Sequence, residues 1–182
     1  MIYRDRVFAA TELKGEKFEG DKFISCRFTS ANLKFSSFTK CVFENCDFSN
    51  AFMDSTSFDE CSFGGSKLSN LDFSPVVFIK CNFYQAVIEN SVFQKIKSGS
   101  KNEKVRYDLR ECNFASASLE NTVWVKCDLE NVSFENSKLV GGVFDRCKLI
   151  KTKFGGADIN GVSFEESKIE AAELDYQGFV MY

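Results

Sequence analysis

The sequence has no histidine, a single proline and no long apolar run. Without imidazole, a nucleophile has no histidine base and zinc has no histidine ligand, so only Cys, Asp, Glu, Lys or Tyr could carry chemistry. The longest apolar runs have four residues, too few for a transmembrane helix. Charged residues also interrupt the N-terminal region, where a secretory signal needs a continuous apolar stretch. We therefore expect a cytoplasmic protein that does not associate with a membrane.

The sequence is rich in phenylalanine, with 21 among 182 residues, eight cysteines and a net charge of −3. One domain of this length can bury a sizeable core. A large apolar residue stands at every fifth position from Phe8 to Phe93, and after a shift of one residue the series resumes from Leu109 to Phe179. Nineteen of the 21 phenylalanines occupy this central position, and the exceptions are Phe35 and Phe52. The composition therefore reflects an internal repeat of five residues.

A second position, two residues before each central residue, holds Cys, Ala, Ser, Thr or Val and occasionally Gly. All eight cysteines fall there, so we expect the site to accept only a small side chain and the thiols to be free and buried. The reducing cytoplasm disfavours disulfides between them. No Cys-x-x-Cys pair indicates zinc. We expect no metal and no cofactor.

A period of five matches neither the 3.6 of a helix nor the 2 of an ordinary strand. Four pentads can turn through four right angles and close one square coil of 20 residues, and coils then stack at ~4.8 Å per layer. Residues 20 apart should form ladders, such as Phe18, Phe38, Phe58 and Phe78. Val92, Val123 and Val143 should stack on one outer face if the residues between the two runs are a simple insertion.

The segment CVFENCDFSNAFMDSTSFDECSF, residues 41–63, resembles the pentapeptide-repeat proteins. The resemblance implies an all-β fold, a right-handed quadrilateral parallel β-helix, here with about eight coils and one loop excursion. We predict a single domain over residues 1–182, with repeats over about 6–95 and 107–181 and a loop over 96–106. A linker between two separate rods is the alternative interpretation of that loop.

We do not expect an enzyme. The acidic residues that could form a catalytic pair fall at outward positions of the pentads, where solvation is the ordinary role; they include Asp47, Asp59, Glu60, Asp72, Glu135 and Asp158. A square coil filled with side chains should also leave no pocket for a substrate.

One branch of the pentapeptide-repeat family protects type II topoisomerases from quinolones or peptide toxins, and its rod is proposed to imitate duplex DNA. This chain is similar to that branch in its Phe centres, its cysteines, its length and its loop. The resemblance implies a protein partner, DNA gyrase or topoisomerase IV. It also implies a partner-binding loop with Lys97, Lys101, Lys104 and Arg106, which against Glu103 give the loop a net charge of +3.

Charge leaves a second function open. Duplex DNA carries one charge per ~1.7 Å, whereas no face of this rod carries an acidic stripe. The alternative is a structural or scaffolding rod that binds another protein and has no topoisomerase role. Direct binding of nucleic acid is not predicted, because four basic residues in a loop are usually solvated.

The ends of a β-helix expose unpaired backbone and must be covered. The sequence shows no helical dimerisation segment like that of the topoisomerase-protecting branch after Tyr176. We therefore predict a homodimer through the C-terminal coil, with Phe179, Val180, Met181 and Tyr182 at the contact. The alternative is that Met181 and Tyr182 fold over the end of a monomer.

Overall fold

The computed structural model describes residues 1–9, 11–95 and 106–173. Over these residues the protein is all-β, with short parallel strands and no helix. The strands are β1 (Ile2–Arg4), β2 (Lys17–Glu19), β3 (Lys22–Ile24), β4 (Ser37–Thr39), β5 (Val42–Glu44), β6 (Ser57–Asp59), β7 (Val77–Ile79), β8 (Val92–Gln94), β9 (Tyr107–Asp108), β10 (Val123–Val125), β11 (Cys127–Asp128), β12 (Val143–Asp145), β13 (Lys148–Ile150) and β14 (Lys168–Glu170).

The chain turns after each pentad, so that central residues 20 apart stack and define four faces. We number the faces by their central residues in two adjacent coils: face 1, Phe23 and Phe43; face 2, Phe28 and Phe48; face 3, Leu33 and Met53; face 4, Phe38 and Phe58. Faces 1, 3 and 4 contain the strands, whereas face 2 is held by isolated parallel bridges. About eight coils form the right-handed quadrilateral parallel β-helix that the period of five predicts.

The central side chains fill the interior as stacked rings. Phe23 lies 4.9 Å from Phe43, and Phe28 lies 4.5 Å from Phe48, with nearly parallel planes. Rings on adjacent faces meet edge to face, as Phe23 and Phe28 do at 5.5 Å. Such aromatic pairs contribute about 0.5–1.5 kcal/mol beyond their buried area. The predicted phenylalanine ladders are confirmed, and they form a continuous core.

The small position has a polar role in addition to its packing role. Its hydroxyl or thiol donates to the carbonyl of a central residue in the coil below: Thr56 Oγ1 to Leu33 O at 2.7 Å, Ser66 Oγ to Phe43 O at 3.0 Å and Cys61 Sγ to Phe38 O at 3.3 Å. All eight cysteines are buried and free, as predicted. Burial raises the pKa of Cys46 and of Cys112 to about 12. These thiols therefore remain protonated at neutral pH.

The corners explain the choice of residue two positions after each centre. The backbone there is left-handed, with φ of 53° at Asn45, 58° at Asn50 and 61° at Asn70. Asn and Gly tolerate this conformation better than residues with bulky side chains. Each such residue turns the chain from one face to the next.

The ladders of three faces continue across the excursion. Asn82 bridges to Asn113 on face 1, Val87 bridges to Ser118 on face 2, and β8 pairs with β10 on face 3. The partner lies 31 residues on, which is one coil of 20 plus 11 additional residues. The predicted stack of Val92, Val123 and Val143 is confirmed.

Candidate functional site: an interrupted ladder beside the excursion

Face 4 is interrupted where the other three faces continue. Its strands form two sheets, β2-β4-β6-β7 and β9-β11-β13-β14, and β7 does not pair with β9. Among the described residues, the amides of Lys80 and Asp108 donate to no backbone carbonyl, whereas the equivalent amide of Lys40 donates to Asp59 O at 2.8 Å. Two strand edges therefore face each other without hydrogen bonds between them.

The corner that leads into β7 is irregular because it contains Pro75. The proline ring holds φ near −65°, so Pro75 cannot adopt the left-handed backbone of the other corners. The amide of Ser55 donates to Pro75 O, twenty residues on, whereas the amide of Phe35 donates to Asp54 O, nineteen residues on. The hydrogen-bond register thus slips by one residue immediately before the interruption.

Tyr107 is a wedge on the other side of the gap. It occupies the small position and is buried, and its hydroxyl lies 2.8 Å from Val76 O and 3.1 Å from Phe73 O. The Val76 carbonyl is the acceptor that the Asp108 amide would use in a regular ladder. Because the phenol extends a whole ring farther than a serine side chain, it keeps β9 away from β7. The expectation that only small side chains fit this position is wrong at Tyr107 and at the buried Leu71.

A cleft of about 720 Å³ results. It is lined by Val76, Val77, Phe78, Ile79, Lys80, Lys95, Arg106, Tyr107, Asp108, Arg110, Glu111, Glu130 and Asn131. The outward side chains of β7 are both aliphatic and exposed, Val77 by 41% and Ile79 by 46%. The expectation that the filled coil leaves no pocket is therefore wrong for the outer surface, because side chains fill the interior but not the space between β7 and β9.

Ion pairs fix the polar walls of the cleft. Lys80 Nζ lies 3.2 Å from a carboxylate oxygen of Glu111, and this contact raises the pKa of Lys80. Arg110 Nη2 lies 2.7 Å from a carboxylate oxygen of Asp108, and its hydrogen bond lowers the pKa of that carboxyl. Both pairs use residues next to the interrupted strands.

The two residues that flank the excursion have different surroundings. Lys95 and Arg106 form no ion pair with any residue that the structure describes. The Nη1 atom of Arg106 instead donates to Arg146 O at 2.5 Å. Two cations without carboxylate partners thus stand at one end of the cleft.

Only one of the predicted site residues lies within the described part of the chain. Arg106 is placed at the cleft. Lys97, Lys101 and Lys104 lie outside the described residues, as do Phe179, Val180, Met181 and Tyr182 of the predicted dimer contact. Sequence reasoning missed Tyr107 and Pro75 as site residues. The signal was available in both cases, since an aromatic residue stands at a small position and the only proline stands at a corner.

The two phenylalanines outside the central position are exposed on face 3. Phe35 is 62% exposed and Phe52 is 53% exposed, with Lys34 Nζ 5.8 Å from the centre of the Phe52 ring. A smaller cleft of about 430 Å³ lies between Phe52 and Asp72, which form no bridge. Face 3 therefore has an apolar surface separate from the cleft on face 4.

Neither metal binding nor membrane insertion finds support in the described residues. They contain no group of three or more Cys, Asp or Glu side chains placed to hold a metal ion. They also contain no helix with the length and apolar character needed to cross a membrane.

Comparison with known proteins identifies the repeat. A family model for pentapeptide repeats matches residues 26–65 and 56–94, and a model for a pentapeptide repeat region matches residues 106–174. No curated protein sequence matches the chain significantly.

Solved structures show the same fold. The full-length structure of QnrB1, a plasmid-mediated fluoroquinolone resistance protein, is 20% identical with a TM-score of 0.54, covering 99% of this chain and 94% of QnrB1. A trypsin-treated form of QnrB1 is 18% identical with a TM-score of 0.51, covering 100% and 94% of the two chains. Family models on both sides of the excursion, together with the four-faced coil of stacked pentads, show that this chain belongs to the pentapeptide-repeat family.

Proposed function

We propose that the protein is a non-enzymatic binding protein that contacts a type II topoisomerase, DNA gyrase or topoisomerase IV, and protects it from quinolones or toxins. The observation that carries the proposal is the position of the excursion. The chain leaves the rod at Lys95 and returns at Arg106, beside a cleft with two cations free to meet a protein surface. The similarity of the fold to QnrB1, a fluoroquinolone resistance protein, supports this choice of partner.

The chemistry of the buried thiols supports a binding role over a catalytic one. A cysteine acts as a nucleophile in its thiolate form. Burial raises the pKa values of Cys46, Cys81 and Cys112, so these thiols remain protonated at neutral pH.

A gyrase assay tests the proposal. Purified DNA gyrase should retain supercoiling activity at a quinolone concentration that otherwise inhibits it, when this protein is present at micromolar concentration. If the protein neither protects gyrase nor inhibits its supercoiling at that concentration, the topoisomerase partner is wrong, and a scaffolding role becomes the preferred hypothesis.

Deletion of residues 96–106 locates the contact. The deletion removes 11 residues and returns the register across the excursion from 31 to 20, so the rod should stay in phase. We expect the variant to fold, as judged by circular dichroism, and to lose protection. Full protection by the folded variant would instead place the contact on the faces of the rod.

A further inference from the structure

We propose that the cleft between β7 and β9 binds an extended peptide segment of the partner protein by β-strand addition, with an acidic residue of that segment beside Lys95 and Arg106. The proposal deepens the proposed function, on which it rests for the identity of the partner. The mode of recognition follows from the cleft alone.

The backbone supplies the first argument. An unpaired strand edge presents N–H and C=O groups that pair readily with another extended chain. Here two such edges, of β7 and β9, lie on opposite walls of one cleft. The amides of Lys80 and Asp108 lack backbone acceptors among the described residues, and a bound strand would supply them.

The side chains supply the second argument. On the same face, β4 carries Ser37 and Thr39 outward and β6 carries Ser57 and Asp59, whereas β7 carries Val77 and Ile79. Exposed aliphatic side chains on an unpaired edge strand favour association with another strand, and natural proteins usually place charges there. β7 therefore offers both main-chain groups and apolar contacts to an extended peptide.

Charge selects the peptide. Lys80 and Arg110 are neutralised by Glu111 and Asp108 within the cleft. Lys95 and Arg106 have no carboxylate partner among the described residues, so a carboxylate of the bound segment would complement them. A basic residue at the same place would be repelled.

The geometry of the walls defines the way in. At the corner between faces 3 and 4, the Tyr107 hydroxyl takes the Val76 carbonyl and keeps the strands apart. At the corner between faces 4 and 1, the Lys80–Glu111 pair and the regular bond from the Asn113 amide to Cys81 O, 3.0 Å, hold the coils together. The segment enters from the Tyr107 end, and the volume of about 720 Å³ lies within the range of ligand pockets.

The test uses the full chain and a displayed library of random eight-residue peptides. Peptides are selected on the wild-type protein and their affinities are measured by fluorescence anisotropy. Binding should weaken at least tenfold in Ile79→Lys, which adds a charge to the β7 edge, and in Tyr107→Ser, which removes the wedge. The matched control is Ile150→Lys, because Ile150 follows its central residue as Ile79 does but lies in β13, which pairs on both sides. This control should bind like the wild type.

Peptide chemistry gives a second readout that does not depend on the folding of a variant. N-methylation at alternate amides of a selected peptide removes hydrogen-bond donors along one edge and should weaken binding at least tenfold. Replacement of its acidic residue by lysine should also weaken binding. Selected peptides should contain aliphatic residues at alternate positions.

Several outcomes would overturn the proposal. They are a library with no enriched peptide, equal binding by Ile79→Lys, equal binding of the N-methylated peptide, or binding seen only after deletion of residues 96–106, which would make this chain's own segment the occupant. Gyrase protection is measured separately. Protection by Ile79→Lys after loss of peptide binding refutes the cleft and leaves the proposed function, whereas peptide binding without any gyrase protection refutes the proposed function and leaves the strand site.

Discussion

Tyr107 places a phenol where the repeat elsewhere has a thiol, a hydroxyl or a methyl group. The change is tolerated because the hydroxyl still reaches the Phe73 carbonyl, in the way that the Cys127 thiol reaches the Phe93 carbonyl one coil later. It also takes the Val76 carbonyl, which lacks its usual amide donor. One residue therefore satisfies two buried acceptors and opens the cleft.

Removal of this hydroxyl should destabilise the protein. Tyr107→Phe leaves the Val76 and Phe73 carbonyls without that donor, and an unsatisfied buried acceptor costs about 1–3 kcal/mol. We expect the free energy of unfolding in urea to fall by about 1–2 kcal/mol. Tyr84→Phe is the control, since Tyr84 is exposed and should change stability by less than about 0.5 kcal/mol. Equal stabilities of the two variants would show that the Tyr107 hydroxyl is not needed by the carbonyls.

The buried thiols should make the protein sensitive to alkali. The pKa values of Cys46 and Cys112 rise to about 12 in the fold, against about 8.5 in an unfolded chain. Stability from these groups is complete below pH ~8.5 and is lost as pH rises toward 12, by about 1.4 kcal/mol per pH unit for each thiol. The slope of unfolding free energy against pH should become shallower in the double variant Cys46→Ala, Cys112→Ala.

A serine at the same position separates titration from packing. Ser91→Ala also changes a buried small residue but removes no titrating group, so its alkaline slope should equal that of the wild type. A double cysteine variant with an unchanged slope would contradict the assignment of the alkaline sensitivity to these thiols.

At the scale of the element, the pentad is a short strand followed by a left-handed corner. The corner φ is 64° at Phe35, where a bulky aromatic residue adopts a conformation that suits Asn or Gly. The ring is 62% exposed, so it gains little from burial in exchange. Phe35 is therefore a local strain that the rest of the coil tolerates.

Relief of that strain should stabilise the protein. Phe35→Asn should raise the free energy of unfolding by about 0.5–1 kcal/mol, since left-handed backbone costs roughly 1–2 kcal/mol for residues other than Gly and Asn. Phe52→Asn is the matched control, because Phe52 is also exposed but has no left-handed φ. A gain of the same size in both variants would mean that loss of exposed aromatic surface, and not corner strain, is the cause.

The sequence predicted the elements well because each pentad repeats the same physical choice. A large residue that must point inward recurs every fifth position, and this alone places Phe18 above Phe38 and Val92 above Val123. The departures at Pro75 and Tyr107 were visible but not interpretable. Whether a large side chain at a small position is accommodated or opens the ladder depends on neighbouring coils, which the period does not describe.

For the whole molecule, the predicted dimer through the C-terminal coil is still a prediction. Multi-angle light scattering of the full chain at micromolar concentration should give twice the monomer mass of 20.6 kDa. Truncation after Ala172 removes the predicted contact at residues 179–182 and should give a monomer. A monomer from the full chain would favour the alternative in which Met181 and Tyr182 cover the end.

The excursion does not disturb the phase of the coil. Ladders on faces 1, 2 and 3 meet across it as though the 11 additional residues were absent. The segment can therefore change in length or composition without any compensating change in the stacked rings. Partner choice and mechanical rigidity are encoded in different residues, so a rod of this kind can acquire a new specificity by exchanging one corner segment and leaving its core as it was.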